Sequence, residues 1–447
     1  MRRALIPLSL GLFACNQYAY FNVSGFEQAE FSNDADILFV IDNSTSMREE
    51  STALALNFNA FIERLTSEDG AQQKTDNLND AVDNFVTYVE DRGRFIDYQL
   101  GITTTTVDYS VGQTDGVDPG EAGLLLGSPP IIDKYDANVE LAFRKNLLCE
   151  ATYWEFSSLP SNLNYECNAE DPQLDESGEI TVEYLDCVCG GQDWESVSGS
   201  GNEEPLEAAL LALCRASDDP PDVCYDPQSN FDSNAVGTNG GFLRDDSTVI
   251  VVLVGDEGDN SRRMVQGDVD PQVYEEAFAA FERPVKFVTI GPNYDGADFS
   301  CNSGGAVTWA VERLQALSNT SGGFYRPLEV DDGSGGCVQA NFEQHLQELG
   351  DLLNSLETIF RLQSIPDIAS ITVYVDGEQV GESLIINQDA VDADPINTAP
   401  EYGDGWSYSS AENAVIFWGE SIPDYNQEVR IFYRPLEDNP RELPFNY

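Results

Sequence analysis

Three short runs of this sequence are dominated by apolar residues, and each has the length of one β-strand. They lie at residues 37–41, 248–254 and 285–290, and the first reads Ile-Leu-Phe-Val-Ile without interruption. Continuous apolar character, in contrast to alternation, is typical of strands buried on both faces of a parallel sheet. Helix-like stretches separate the runs. The sequence therefore predicts a doubly wound, Rossmann-like α/β domain.

We expect this α/β domain to span residues 34–362. Apolar residues at steps of three and four, together with shorter apolar runs, predict helices over residues 47–65, 78–89, 203–215, 271–282, 306–318 and 338–360, and strands over 98–103 and around Phe324. Residues 104–200 interrupt the pattern, because they are rich in Gly, Pro, Asp and Asn and show little periodicity. They are predicted to form a Cys-rich insertion with one or two strands and some helix.

Between residues 365 and 437 the apolar period changes to two. Ile371 and Val373 alternate with polar residues, and Asp376-Gly377 is a strong signal for a hairpin turn. Further strands are predicted over residues 405–408, 414–418 and 428–433. This segment is therefore predicted to be a small all-β domain.

The charge of the chain limits its partners. Its 79 acidic residues against 22 Lys and Arg give a formal charge of −57. Nucleic acids and anionic membrane surfaces are bound through clusters of basic residues, which this sequence lacks, so both are excluded as direct ligands. Cations are the natural partners. The single histidine, His345, excludes His-rich metal sites and most sites that pair a nucleophile with histidine.

The first 14 residues have the form of an export signal, because two arginines precede an apolar run that is too short to span a bilayer. The run ends in Leu12-Phe13-Ala14-Cys15, which resembles the lipobox of bacterial lipoproteins. The resemblance implies cleavage after residue 14, lipid attached to Cys15 as the membrane anchor, a tether over residues 15–33 and a location in the bacterial cell envelope. An ordinary secretory signal is the alternative.

The cysteine count agrees with export. If Cys15 carries lipid, eight cysteines remain, an even number that favours four disulfides in an exported protein. They are Cys149, Cys167, Cys187, Cys189, Cys214, Cys224, Cys301 and Cys337. Their pairing does not follow from the sequence. A zinc site is disfavoured, because Cys187-Val188-Cys189 lacks the two-residue gap of a zinc knuckle and no second pair follows.

Oxygen-bearing residues follow the predicted buried strands. Asp42-Asn43-Ser44-Thr45-Ser46 comes directly after the first strand, and Gly255-Asp256-Glu257 after the second. A third segment, residues 199–205, is rich in Gly and Glu and opens a helix. Open α/β sheets bind ligands at the carboxyl ends of their strands, and hard divalent cations prefer oxygen ligands. The sequence predicts a cation site here, with helix capping by Ser44 or Ser46 as the alternative role.

These motifs resemble the von Willebrand factor type A (VWA) domains. Asp42, Ser44 and Ser46 match the Asp-x-Ser-x-Ser of the family's metal-ion-dependent adhesion site, and Asp256 matches its Asp after a later strand. Leu100-Gly101-Ile102-Thr103-Thr104 and Ser321-Gly322-Gly323-Phe324-Tyr325 look like two further family segments. The resemblance covers roughly residues 34–360. It implies a Rossmann-like sheet that binds Mg²⁺, Mn²⁺ or Ca²⁺ and, through that ion, an acidic group of a protein partner.

Two positions depart from the family pattern. Gly255-Asp256-Glu257 stands where the family usually has Thr-Asp-Gly, and the second departure affects the ligand set. The family's middle loop supplies a threonine, whereas the matching segment here offers Glu203; a similar Gly-x-Glu-x-Pro-Leu segment occurs in some exported bacterial members. We expect Glu203 to replace the threonine as a ligand. Its charge favours Ca²⁺ over Mg²⁺, although ion size and site flexibility count as well. Asp259 is predicted either as an outer or second-ion ligand or as part of a solvated acidic loop.

The sequence thus predicts a non-enzymatic, cation-dependent adhesion or protein-interaction module on an exported lipoprotein. Two alternatives belong to other classes. One is a carboxylate-based hydrolase that uses the insertion as a cleft, although 79 carboxylates make acid and base pairs uninformative. The other is carbohydrate binding by Trp406, Tyr408 and Trp418 of the β-domain, for which core packing is the competing interpretation.

Overall fold

The structure is a computed structural model, and it describes residues 26–28, 34–66, 97–107, 121–155, 168–176, 178–190, 199–226, 231–244, 247–296, 298–301, 305–334, 336–356, 359–387, 402–410, 413–423 and 429–436. The chain forms two compact units. The first, the α/β unit, lies within residues 32–357, and the second, the β unit, combines residues before 32 with residues 358–447. The predicted signal segment, Cys15 and the predicted helix 78–89 lie outside the described residues.

The strands, in chain order, are β1 (Phe26–Gln28), β2 (Ala35–Ile41), β3 (Tyr98–Thr104), β4 (Ile131–Asp133), β5 (Thr248–Val254), β6 (Val285–Gly291), β7 (Asn293–Tyr294), β8 (Phe299–Cys301), β9 (Phe324–Pro327), β10 (Glu329–Asp331), β11 (Cys337–Gln339), β12 (Ile359–Arg361), β13 (Thr372–Val375), β14 (Glu378–Val380), β15 (Gly405–Ser409), β16 (Ala414–Trp418) and β17 (Val429–Tyr433). The helices are α1 (Arg48–Thr66), α2 (Val139–Glu150), α3 (Val182–Cys189), α4 (Pro205–Ala216), α5 (Gln272–Ala279), α6 (Thr308–Thr320) and α7 (Phe342–Leu356). Short 3₁₀ turns occur at Asp222–Tyr225, Ser233–Ala235, Ile368–Ser370 and Gly419–Ser421.

A six-stranded sheet with the order β4-β3-β2-β5-β6-β9 organises the α/β unit. All neighbouring pairs are parallel except β3 and β4, which pair antiparallel at one edge. Every residue of β2, β3 and β5 is buried, as expected for strands covered on both faces. The mixed α/β class with a parallel sheet is confirmed. The chain leaves β2 toward β3 on one side and returns to β5 on the other, which creates a crevice between β2 and β5.

Helices cover both faces of this sheet. On one face the ring of Phe39 lies edge-on to Phe143 at 4.8 Å, and Phe143 stacks on Phe58 of α1 at 3.6 Å between ring centroids. On the other face Leu38 and Val40 belong to a buried cluster that includes Leu210 and most other residues of α4. Successive β2 residues therefore face opposite helix layers, which explains why the strand carries no polar alternation.

The last helix of the α/β unit is shorter than predicted. The apolar spacing predicted a helix over 338–360, but α7 spans Phe342–Leu356. Val338 lies instead in β11 and is 48% exposed, and Phe360 lies in β12 within the core of the β unit. The prediction was wrong at both ends, because strand residues happened to continue the helical spacing.

Disulfides join segments of the insertion and of the sheet periphery. Cys149 of α2 pairs with Cys189 of α3, Cys214 of α4 pairs with Cys224, and Cys301 of β8 pairs with Cys337 of β11. Cys187 is disulfide-bonded as well. The prediction of disulfides is confirmed, and the Cys187-Val188-Cys189 pair takes part in disulfides.

The described residues of the β unit form two antiparallel sheets, β1-β17-β13-β14 and β12-β16-β15. The predicted turn forms between β13 and β14, where Asp376 and Gly377 have φ of 51° and 82°. One sequence prediction needs adjustment here, whereas the core-packing interpretation of the β-domain aromatic residues is confirmed for Trp406. Residues 26–28, placed in the tether, form β1 and pair with β17. Of the aromatic residues, Trp406 is buried in the core, and Trp418 stacks on Tyr402 at 4.5 Å.

Within the described ranges, none of the helices is long and apolar enough to cross a bilayer.

Candidate metal centre

The candidate site forms where three neighbouring strands end at the same level. The register places Ile41, the last residue of β2, beside the last residues of β3 and β5. Asp42 and Thr105 follow directly, and Asp256 follows β5 after one residue. The N–H of Asp42 donates to the carbonyl of Val254 over 2.9 Å, so the sheet pairing continues into the loop. The parallel register alone thus brings these three side chains to one edge.

The segment before α4 closes onto these strand ends through backbone hydrogen bonds. The N–H of Glu204 donates to the carbonyl of Thr105 over 3.1 Å, and the N–H of Gly199 donates to the carbonyl of Asn43 over 2.9 Å. A Cβ at position 199 would overlap the Asn43 side chain, which would then have to shift. Pro205 begins α4, so Glu203 stays in the loop and its side chain reaches the strand ends.

The loop after β2 supplies a carboxylate and two hydroxyls. Oδ1 of Asp42 accepts the N–H of Ser44 over 2.8 Å, and the hydroxyls of Ser44 and Ser46 lie 3.0 Å apart. Asp42 is buried, whereas Ser44 is half-buried and Ser46 exposed. Oδ2 of Asp42 has no hydrogen-bond partner among the described residues. The loop therefore presents one free carboxylate oxygen beneath two more accessible hydroxyls.

In two further buried carboxylates, likewise, one oxygen has no hydrogen-bond partner among the described residues. The Thr105 hydroxyl donates to Oε2 of Glu203, and the Ser46 hydroxyl donates to the carboxyl of Asp256. Oε1 of Glu203 and Oδ1 of Asp256 find no hydrogen-bond partner in the part of the chain that the structure describes. Both residues are at most 4% exposed. Buried oxygens left in this state are costly unless another group satisfies them.

The electrostatics of these three carboxyls are unfavourable in the absence of a cation. Burial raises the pKa of Asp42 well above its ordinary value, and the charge of Asp256 adds to that. Burial also raises the pKa of Glu203 well above its ordinary value, followed by the charge of Asp42. Burial raises the pKa of Asp256, while the hydrogen bond from Ser46 opposes the rise. A cation would favour the charged form of all three.

Asp259 lies outside this group. It is fully buried, but its Oδ2 pairs with Nη1 of Arg313 at 2.7 Å, and its Oδ1 accepts from the Ser261 hydroxyl and from the N–H of Leu206. Both oxygens are therefore already engaged. The structure places Asp259 neither with the candidate ligands nor in a solvated loop.

Three residues of the site were not among the ligands predicted from the sequence. Thr105 carries no local signal, since its partner Glu203 lies 98 positions away. Glu257 is half-buried, and burial followed by the charge of Asp256 raises its pKa to about 7. Glu50, in the first turn of α1, is 7% exposed, and burial raises its pKa to about 7 as well. The acidic character of the site is therefore greater than the sequence predicted.

The donor set fits a hard divalent cation. A cavity of about 20 Å³, which is room for one water-sized object, is lined by Asp42, Thr105, Glu203, Gly255 and Glu257. Oxygens of carboxylate and hydroxyl type are the ligands that Mg²⁺ and Ca²⁺ prefer. Among the described residues no three Asp, Glu, His or Cys side chains are grouped closely enough to hold an ion by themselves. A bound ion would therefore also use the serine hydroxyls or water.

No family model and no curated protein matches the sequence. Solved structures match at low similarity. The pilus adhesin SpaC from Lactobacillus rhamnosus GG (open conformation) has a TM-score of 0.32 at 9% identity, covering 90% of this chain and 38% of that one. A von Willebrand factor type A protein from Catenulispora acidiphila has a TM-score of 0.29 at 9% identity, covering 90% and 57%. Proximal thread matrix protein 1 from the mussel byssus has a TM-score of 0.27 at 13% identity, covering 75% and 51%.

The chain thus spans between 38% and 57% of the length of these three proteins. Structural alignments with TM-scores this low do not indicate a function.

Proposed function

We propose that this protein binds one divalent cation through Asp42, Ser44, Ser46, Asp256 and Glu203, in the manner of a VWA domain. The ion keeps one coordination position for an acidic group of a partner protein. The protein then acts as a cation-dependent adhesion or protein-interaction module.

One contrast among the buried carboxylates carries this proposal. Beside the site, Glu204, Glu207 and Asp259 are each at most 2% exposed, and each is paired with an arginine at 2.7–2.9 Å. Asp42 and Glu203 are equally buried, yet they form no ion pair with any described Lys or Arg. Unpaired buried charge is strongly unfavourable. A divalent cation supplies the missing positive charge.

The proposal includes the absence of catalysis. A bound cation would engage the carboxylates that a hydrolase would need as acid and base. The chain's single histidine, His345, is buried, with Nε2 at 3.0 Å from the carbonyl of Pro327. We further propose that the module is exported and anchored by lipid at Cys15, since its negative charge gives it no direct affinity for an anionic surface.

Calorimetric titration of the metal-free protein with Ca²⁺ and with Mg²⁺ tests the cation site. Wild type should bind one ion, and Asp42→Ala and Asp256→Ala should each weaken binding by at least about 100-fold, because a ligand oxygen and a charge are lost together. Asp218→Ala removes the same side chain from an exposed position and should bind as wild type does. Unchanged affinity in both site variants would overturn the proposal.

The open coordination position has a separate test. With Mn²⁺ bound, acetate that coordinates the ion should show strongly enhanced relaxation of its methyl protons in NMR. The enhancement should vanish in Asp42→Ala at the same Mn²⁺ concentration, after correction for free ion. Wild-type protein that binds Mn²⁺ but leaves acetate relaxation at the Asp42→Ala level would remove the acidic partner group from the proposal.

A further inference from the structure

Each of the three carboxylates at the site has one oxygen free and offers it alone. In Asp42 the N–H of Ser44 occupies Oδ1 and leaves Oδ2. In Glu203 the Thr105 hydroxyl occupies Oε2 and leaves Oε1. In Asp256 the carboxyl accepts from the Ser46 hydroxyl, and Oδ1 is left. The free oxygens are those without partners among the described residues.

The number of free oxygens per carboxylate bears on which ion is bound. Ca²⁺ takes six to eight oxygens at about 2.3–2.6 Å and commonly uses carboxylates through both oxygens. Mg²⁺ takes six at about 2.0–2.1 Å in near-ideal octahedral geometry. The two oxygens of one carboxylate lie too close together to fill two octahedral positions, so Mg²⁺ favours one oxygen from each carboxylate. A site whose carboxylates each have one oxygen without a partner among the described residues matches the smaller ion.

Of the donors that limit these carboxylates, Thr105 is held most firmly. It is 2% exposed, its N–H donates to the carbonyl of Ile41 over 3.0 Å, and its carbonyl accepts from the N–H of Glu204 over 3.1 Å. Its position is therefore fixed both to the sheet and to the segment that carries Glu203. With the backbone held in this way, the hydroxyl can leave Glu203 only through a change of the Thr105 side-chain rotamer. By contrast Ser46, which donates to Asp256, is exposed.

We propose that the Thr105 hydroxyl determines the ion preference of the site, by holding Glu203 to a single free oxygen and so favouring Mg²⁺-sized ions over Ca²⁺. The inference rests on the proposed function and deepens it. It also revises the expectation from sequence, in which the charge of Glu203 favoured Ca²⁺. The hydrogen bond from Thr105 opposes that effect, because it occupies one lone pair of Oε2 and so disfavours coordination of one ion through both oxygens of Glu203.

Titration of the full-length protein with Mg²⁺ alone and with Ca²⁺ alone tests this. Thr105→Val keeps the shape and removes the donor, so the ratio of Mg²⁺ to Ca²⁺ affinity should fall by about tenfold, the size of one hydrogen bond to a charged group. Thr105→Ser keeps the donor and should retain the wild-type ratio. Thr104→Val is the matched control, since the buried hydroxyl of Thr104 has no partner within the described residues.

The outcomes separate this inference from the proposal on which it rests. If wild type binds neither ion, the proposed function fails and this inference with it. If wild type binds and Thr105→Val binds with an unchanged ratio, the cation site stands and the role of Thr105 is refuted. A general loss of affinity for both ions in Thr105→Val, with no change in their ratio, also refutes it. Should Thr105→Val not fold, Thr105→Ala removes the same donor and leaves only extra space, and the same ratio decides.

Discussion

Replacing Glu203 with glutamine should change metal-free stability and metal affinity in opposite directions. Glutamine keeps the size of the side chain and an acceptor for the Thr105 hydroxyl, but it removes the negative charge beside Asp42. Without a cation, that charge is buried, with Oε1 lacking a partner among the described residues. With a cation, the same charge is a ligand. Glu203→Gln is therefore expected to be more stable than wild type in EDTA and less stabilised by metal.

The expected sizes are comparable. Leaving a buried acceptor unsatisfied costs about 1–3 kcal/mol, so removing the charge should raise the free energy of unfolding by roughly 1–2 kcal/mol at pH 8, after allowing for the amide that replaces it. Loss of one anionic ligand should weaken metal binding by about 10- to 100-fold. Since an ion at 100 times its Kd stabilises the fold by about 2.7 kcal/mol, the stabilities of the two proteins should cross as metal concentration rises.

Urea unfolding at pH 8, in EDTA and across a Ca²⁺ or Mg²⁺ series, measures both effects. Glu204→Gln is the matched control, because Glu204 is equally buried but pairs with Arg262 at 2.9 Å. It should lose stability with and without metal and keep wild-type affinity. If Glu203→Gln is destabilised in EDTA, or keeps full metal affinity, the assignment of Glu203 as a ligand is wrong. Unchanged metal affinity with loss of a hydrolytic activity would favour the enzyme alternative.

Three further expectations follow, two from described residues and one from the sequence alone. The metal-free protein should gain stability as pH falls from about 8 toward 5.5. The pKa values of Glu50 and Glu257 are raised to about 7 in the folded state, whereas the ordinary value in the unfolded chain is near 4.5, so the folded state binds these protons first. Thermal melting in EDTA measures the dependence of stability on pH, and a flat profile contradicts the prediction. Gly255→Ala should weaken metal binding several-fold with little loss of secondary structure, because the added Cβ would lie 3.1 Å from Cβ and 3.3 Å from Oδ2 of Asp42. Calorimetry measures the affinity and circular dichroism the secondary structure, and unchanged affinity would show that Asp42 adjusts freely. Mass spectrometry of the detergent-extracted protein should find a diacylated Cys15 as its first residue, and a mature chain that starts elsewhere with a free Cys15 would refute the lipoprotein prediction.

Local sequence predicted the elements whose environment or backbone conformation allows only a few residue types. The run Thr248–Val254 was predicted with its observed bounds, because a strand covered on both faces needs apolar residues at every position. The hairpin at Asp376-Gly377 was predicted because positive φ at both central residues suits few residue pairs. Asp42 and Asp256 were placed together because adjacent parallel strands end at one edge. In each case the determining physics is contained in a few neighbouring residues.

The remaining features depend on partners far away in the sequence. Asp259 was a candidate ligand until its pairing with Arg313, 54 positions later, became visible. The bond from Thr105 to Glu203 likewise has no local signature. The spacing of apolar residues also gave a wrong helix boundary. Val338 continues the three-and-four spacing of the helix, although it lies in β11, which pairs with β10 in a hairpin. Which carboxylates keep an arginine and which do not is decided by the folded chain alone.

The pairing of β1 with β17 determines an order of assembly. Phe26 lies opposite Tyr433, so the strand that precedes the α/β unit meets its neighbour only when the last described strand has been made. Joining residues more than 400 positions apart is slow when the intervening chain is unfolded. All strands of the parallel sheet lie between these two partners, and they can fold as soon as residue 357 is available. We expect the α/β unit to form first during synthesis or export, and the β unit to form last, when the chain between β1 and β17 is already compact.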